Sequence, residues 1–146
     1  MITVNVETDI EDDLQLSHNI TQNICRSVLK NEKHLSGEVT FIITGDEELR
    51  ALKKRFFDLD IYTDVITFNL EDDGDPVEGE IYISWERVQD NAQKLDQDVD
   101  VELKRMMVHG SLHLVGYDDQ TAEEEHQMRS LEEKYLNLNP EPLILL

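Results

Sequence analysis

The chain of 146 residues carries 13 basic and 33 acidic side chains, a formal charge of −20, with 39% hydrophobic and 32% charged residues. That is the size and composition of one folded domain, and the acidic balance argues against a broad basic surface for phosphate binding, so a nucleic-acid partner needs local help from a metal, a small basic patch or another protein. No apolar run approaches the ~20 residues that span a bilayer, and "MITVNVETDI" lacks the basic start and long apolar stretch of a signal peptide, so no membrane association and a cytoplasmic location are expected.

"ITVNVE" alternates Ile2, Val4 and Val6 with polar residues, the pattern of a strand with one buried face. Leu14, Ile20, Ile24, Val28 and Leu29 then recur at helical spacing, which predicts an amphipathic helix over 13–31 that includes the lone cysteine, Cys25, as core filler. "EVTFIITG" reads as a strand, and "DEELRALKKRFF" opens with acidic residues suited to a helix N-terminus. "TDVITFNL" and "GEIYIS" are two more strand-like runs, joined through the turn-rich "EDDGDPVE". Ser84 is placed to cap a helix carrying Trp85, Val88, Ala92 and Leu95, and "DQDVD" breaks it. Residues 99–115 form the most apolar helix, expected at the centre of the fold. Thr121 and Glu124 have the spacing of a capping box at the head of a last helix over 122–136. Pro140 and Pro142 end regular structure, leaving "LILL" as a docked tail or an oligomer contact. The order predicts a single α+β domain over 1–146, a small mixed sheet of about four strands packed with about five helices.

The chemistry is concentrated in "HGSLHLVGYDD", residues 109–119. Residues four apart on a helix sit nearly above one another, so His109 and His113 can aim at one ion; an isolated pair at this spacing is more often one buried and one exposed histidine, and the surrounding residues change that balance. Gly116 can take the left-handed conformation that ends the helix and turns the chain, bringing Asp118 or Asp119 back as an oxygen ligand. Two nitrogens and one oxygen leave a position open, as in a catalytic zinc site at the end of a central helix. Gly110 stands where a zinc peptidase of this spacing carries its glutamate base, which removes support for ordinary peptidase chemistry. A glycine inside a helix costs on the order of 1 kcal/mol relative to alanine, and close approach of a substrate or of a packed neighbour would compensate. His126 is expected on the surface, and His18 and His34 have no motif around them.

"HGSLHLVGYDD", with "TDVITF" and "GEIYIS" upstream, resembles the YbeY family of metal-dependent endoribonucleases, whose order of motifs the chain follows over residues 37–135. The resemblance implies one zinc ion per chain and hydrolysis of single-stranded RNA. It also implies a role in ribosomal RNA processing, including maturation of the 16S rRNA 3′ end, and in ribosome quality control, with the small ribosomal subunit or its proteins as partners. His109 and His113 match two of the family's three zinc-binding histidines, and Asp119 stands in the third position, with Asp118 as a competitor. Thr63 and Asp64 match a cleft-lining pair, implied to bind substrate or to orient a histidine. Phe57 replaces an arginine of the family pattern, and Arg55, with Lys53 and Lys54, offers the missing charge unless "KKR" is merely a solvated helix face. The resulting expected catalytic set is His109, His113, Thr63, Asp64 and Arg55. The alternatives are a metal-dependent hydrolase of peptides or small esters, and a non-catalytic, ribosome-associated metal-binding protein.

Overall fold

The computed structural model describes residues 1–145. Strand β1 (Ile2–Thr8), helix α1 (His18–Asn31), β2 (Gly37–Thr44), α2 (Asp46–Phe57), β3 (Val65–Asn69), β4 (Val77–Ser84), α3 (Trp85–Lys94), α4 (Val99–Leu114) and α5 (Ala122–Leu138) follow in chain order. The strands form one sheet in the order β1-β2-β4-β3, parallel from β1 through β4, with β3 antiparallel on the edge beside β4. This is the mixed sheet and five-helix α+β architecture that the element order predicts.

Strand alternation divides the sheet into two unlike faces. Ile2 and Val4, Val39, Phe41 and Ile43, and Ile81 and Ile83 point to one side and are buried there. Helices α1 and α4 cover that side, α1 contributing Ile24, Val28 and Leu29 and α4 contributing Leu103, Met107 and Leu112. Each such side chain contributes about 1.5–3 kcal/mol on burial, so this layer dominates stability. On the opposite side β1 and β2 present Asn5, Glu7 and Glu38, which are exposed, and α2 lies over β3 and β4.

Helix α4 is central, packed against α1, α3, α5, β3 and β4. It starts at the Asp98 cap, whose side chain accepts from the Asp100 amide. Ser84 caps α3, and Thr121 and Glu124 form the reciprocal capping box of α5, as their spacing predicts. Cys25 is fully buried, and burial pushes its thiol up to about 12, in keeping with a packing role.

The first helix departs from its expected start at 13. Ser17 is its cap, accepting from the Ile20 amide, and Leu14 lies outside it. Residues 14–17 run extended because the C-terminal tail pairs with them: Ser17 N donates to Leu143 O, Leu145 N donates to Gln15 O, and Leu16 bridges Ile144. Leu143 is buried, so the described part of "LILL" is a docked tail, while Leu146 lies outside the described residues. No helix among the described residues is long and apolar enough to cross a membrane.

Candidate metal centre

Helix α4 ends in a Schellman turn. The Gly116 amide donates to His113 O at 3.1 Å and the Tyr117 amide to Leu112 O at 3.0 Å, with Gly116 at φ 105°. The chain reverses there, and five residues later the α5 capping box fixes it again. Between these two anchored ends, Asp118 Oδ1 accepts from the Asp119 amide at 2.8 Å, which engages Asp118 locally and leaves Asp119 to face the histidines.

His109 Nε2 and His113 Nε2 are 3.1 Å apart, and Asp119 Oδ2 lies 3.4 and 3.6 Å from them. Three donors on a tetrahedral zinc ion with bonds of ~2.0–2.1 Å are separated by about 3.3 Å. The triangle therefore has the size of one face of a zinc tetrahedron, and the choice between Asp118 and Asp119 falls on Asp119.

The outer atoms of both rings are held. His109 Nδ1 meets Glu132 Oε2 at 2.7 Å, and His113 Nδ1 meets Tyr117 O at 2.9 Å. An ionised carboxylate and a carbonyl only accept, so each neutral ring carries its proton on Nδ1 and turns a bare Nε2 lone pair toward the other. Two lone pairs and a carboxylate oxygen converge with no donor among them, an arrangement that a cation resolves. Carboxylate and carbonyl partners on the far nitrogens are the outer support that metal-ligating histidines characteristically have.

Glu132 sits on α5, buried, with Arg105 Nη1 at 3.5 Å from its other oxygen; Arg105 also reaches Glu133 at 2.8 Å. Burial by itself would depress the His109 pKa, but the hydrogen bond and charge of Glu132, joined by Asp64 and Asp119, raise it above the ordinary 6.5. Glu102, buried two helical turns before His109 and near Arg105, is pushed up by desolvation.

The triad opens on a cleft of about 380 Å³ lined also by Thr63, Asp64, Lys53 and Phe57. A second hollow of about 240 Å³, lined by Met106, Met128 and Arg129, adjoins it at His109 and Asp119. Thr63 and Asp64 thus share the cleft with the triad, but neither holds a histidine; that work falls to Glu132 and the Tyr117 carbonyl, which the motif reading did not include. Arg55 does not line the cleft. It is exposed, with its guanidinium 5.1 Å from the Phe56 ring centre, and Lys53 is the basic residue of "KKR" that faces the triad. His126 is exposed on α5, as expected.

Gly110 sits where α4 crosses the sheet. A Cβ there would collide with the Ile81 side chain and come within 3.4 Å of Val65, so the glycine serves helix-to-sheet packing beside the first ligand.

The family model described as endoribonuclease YbeY matches residues 3–139. The endoribonuclease YbeY of Flavobacterium psychrophilum is 38% identical over 138 residues, covering 94% of this chain and 96% of its own. That of Cytophaga hutchinsonii is 42% identical over 112 residues, 77% of this chain and 78% of its own. The solution structure of TM1509 from Thermotoga maritima superposes with a TM-score of 0.59 at 25% identity, over 94% of this chain and 91% of that one. By the extent of the family match and the His-His-Asp form of the metal triad, the chain belongs to the YbeY endoribonuclease family.

Proposed function

We propose that this protein is a zinc-dependent endoribonuclease that cuts single-stranded RNA. We place it in the cytoplasm, in ribosomal RNA processing that includes the 16S rRNA 3′ end and in ribosome quality control, acting with the small ribosomal subunit. The observation that carries the proposal is the donor triangle of His109, His113 and Asp119, sized for zinc and open on its remaining side to a cleft. When bound, zinc supplies Lewis acidity toward a phosphoryl oxygen and makes water acidic enough to attack near neutral pH.

The chain's own residues do the rest. Glu132 and the Tyr117 carbonyl hold the two rings in place and, in the neutral imidazoles, keep the proton on Nδ1 so that each Nε2 lone pair points to the metal position. Lys53 brings a positive charge to the cleft of an otherwise acidic chain. Thr63 is placed to donate to a phosphate oxygen, and the exposed Asp64 carboxylate to accept from a ribose 2′-hydroxyl, the group that distinguishes RNA from DNA.

Hydrolysis of a peptide or small ester would be favoured by a free glutamate at the metal. Glu132 is the glutamate in contact with a triad residue, and its oxygens are engaged by His109 and Arg105. A purely structural metal ordinarily takes four protein ligands, whereas three converge here.

Cleavage of a single-stranded RNA by chelated and zinc-restored protein tests the proposal, with a His109→Ala, His113→Ala preparation as the control for contaminating nuclease. Zinc-restored cleavage absent from the control is expected. Cleavage that survives chelation, or that the double variant retains, would overturn it.

A further inference from the structure

We propose that Phe57, flanked by Phe56 and backed by Phe68, is a base-stacking platform for single-stranded RNA at the mouth of the metal cleft; this rests on the endoribonuclease reading above. The last turn of α2 leaves Phe56 56% and Phe57 44% exposed, while Phe41 and Tyr135 are fully buried. Exposed apolar surface gathered in one place marks an interaction site. Along the chain it is followed by Leu59 and Ile61, each 47% exposed.

The rings are held in place. Phe68, on edge strand β3, meets Phe56 edge-on at 5.3 Å between ring centres and stacks on Phe57 at 5.9 Å, and Tyr82 of β4 supports Phe68 edge-on at 5.8 Å. A platform ordered before binding loses little side-chain entropy when a base lands on it.

Two features choose RNA as the occupant. Phe57 and Lys53 line the same cleft as the triad, so a base stacked on Phe57 belongs to a strand that passes the metal site. Cations also stand at the rings: Lys53 Nζ is 4.5 Å from the Phe57 centre and the Arg55 guanidinium 5.1 Å from that of Phe56. A nucleotide presents a flat π-face and an anionic phosphate together, and this cluster offers a partner to each. A lysine over an exposed ring is held more weakly than a stacked base, so Lys53 can swing to the phosphate and free the ring face. Stacking is also indifferent to charge, which suits a chain of net charge −20 that repels the RNA backbone at long range.

The test is steady-state cleavage of a single-stranded RNA by zinc-loaded protein, comparing wild type with Phe57→Leu and Phe57→Trp. Leucine keeps the bulk and removes the π-face, and thermal melting checks that the fold is intact. We expect Phe57→Leu to raise KM about fivefold or more, the lower end of what one stacked base contributes, with kcat and the salt dependence of KM little changed and with tryptophan restoring the wild-type value. Scanning an abasic nucleotide along the substrate locates the stacked base: at one position the abasic penalty seen with wild type disappears in Phe57→Leu. An unchanged KM in Phe57→Leu, or a penalty independent of the abasic site, overturns the platform while metal-dependent cleavage by wild type keeps the endoribonuclease reading. A change of oligomeric state in Phe57→Leu without a change in KM would assign the patch to contact between copies and overturn the platform as well. If wild type neither cuts nor retains the RNA in an anisotropy assay, both fall.

Discussion

His109 Nε2 and His113 Nε2 face each other at 3.1 Å, and in the neutral rings neither carries a proton, because the Glu132 carboxylate and the Tyr117 carbonyl accept from the opposite ring nitrogens. Asp119 completes the group, and its replacement is the sharpest probe of the triad. Asp119→Ala is expected to lower zinc affinity by more than about a hundredfold, beyond the loss that an outer-sphere partner brings. Asp118→Ala should leave zinc content unchanged. Asp119→His should keep the metal and, with the site one charge more positive, move the pH profile of activity to lower values. Elemental analysis and a chelator competition titration read all three. Full zinc occupancy in Asp119→Ala would remove it from the ligand set.

Glu132 acts through His109. Glu132→Gln retains a side chain of the same size but offers an amide whose NH2 can donate to Nδ1, allowing the His109 proton to move to the nitrogen that must bind metal. A loss of about 10- to 100-fold in zinc affinity is expected, with the fold retained. Affinity equal to wild type in the same competition titration would show that the 2.7 Å contact is only packing.

The raised pKa of His109 sets opposite pH trends for the apo and zinc forms. Protonation of His109 stabilises the apo fold. This contribution is fully present below the unfolded value, near 6.5, and is lost as pH rises through the higher folded value. Zinc needs the deprotonated nitrogen, so its affinity falls as pH drops through that same folded value. The zinc-induced rise in Tm should therefore shrink steadily on acidification, beginning above pH 6.5. A zinc-induced shift independent of pH would rule out His109 as a ligand.

Gly110→Ala sets helix propensity against packing. Alanine favours the helix by about 1 kcal/mol, but its methyl collides with Ile81, and overpacking costs about 1–3 kcal/mol. We expect a net loss, a Tm lower by several degrees, and weaker zinc binding because His109 is the adjacent residue. A Tm at or above wild type would show that Ile81 yields freely.

Much of the architecture was legible in local pattern. The period-two strands, the Ser84 cap and the Thr121–Glu124 capping box are written in adjacent residues and depend on nothing remote. The start of α1 was not, since Leu14 continues the helical spacing and the tail that holds residues 14–17 extended lies more than a hundred residues away in the chain. Glu132 left a signal that the motif reading passed over: it is a charged residue on the buried stripe of α5, four after Met128 and three before Tyr135. The helix phase also separates the basic residues. Lys53 and Phe57 are four apart and share a face, whereas Arg55 lies about 200° around the helix from Phe57.

Edge strand β3 also fixes the rotational setting of the ligand helix. Thr67 Oγ1 donates to Gly110 O at 3.2 Å and Asn69 Nδ2 to Leu114 O at 2.9 Å. Two residues along a strand advance about 6.6–6.8 Å and four along a helix about 6 Å, so the strand's repeat is nearly commensurate with one helical turn. The gripped carbonyls belong to the residues that immediately follow His109 and His113. A strand thus serves as a ruler laid along the helix: with its two marks at 110 and 114, the imidazoles at 109 and 113 are phased toward the cleft before any metal arrives.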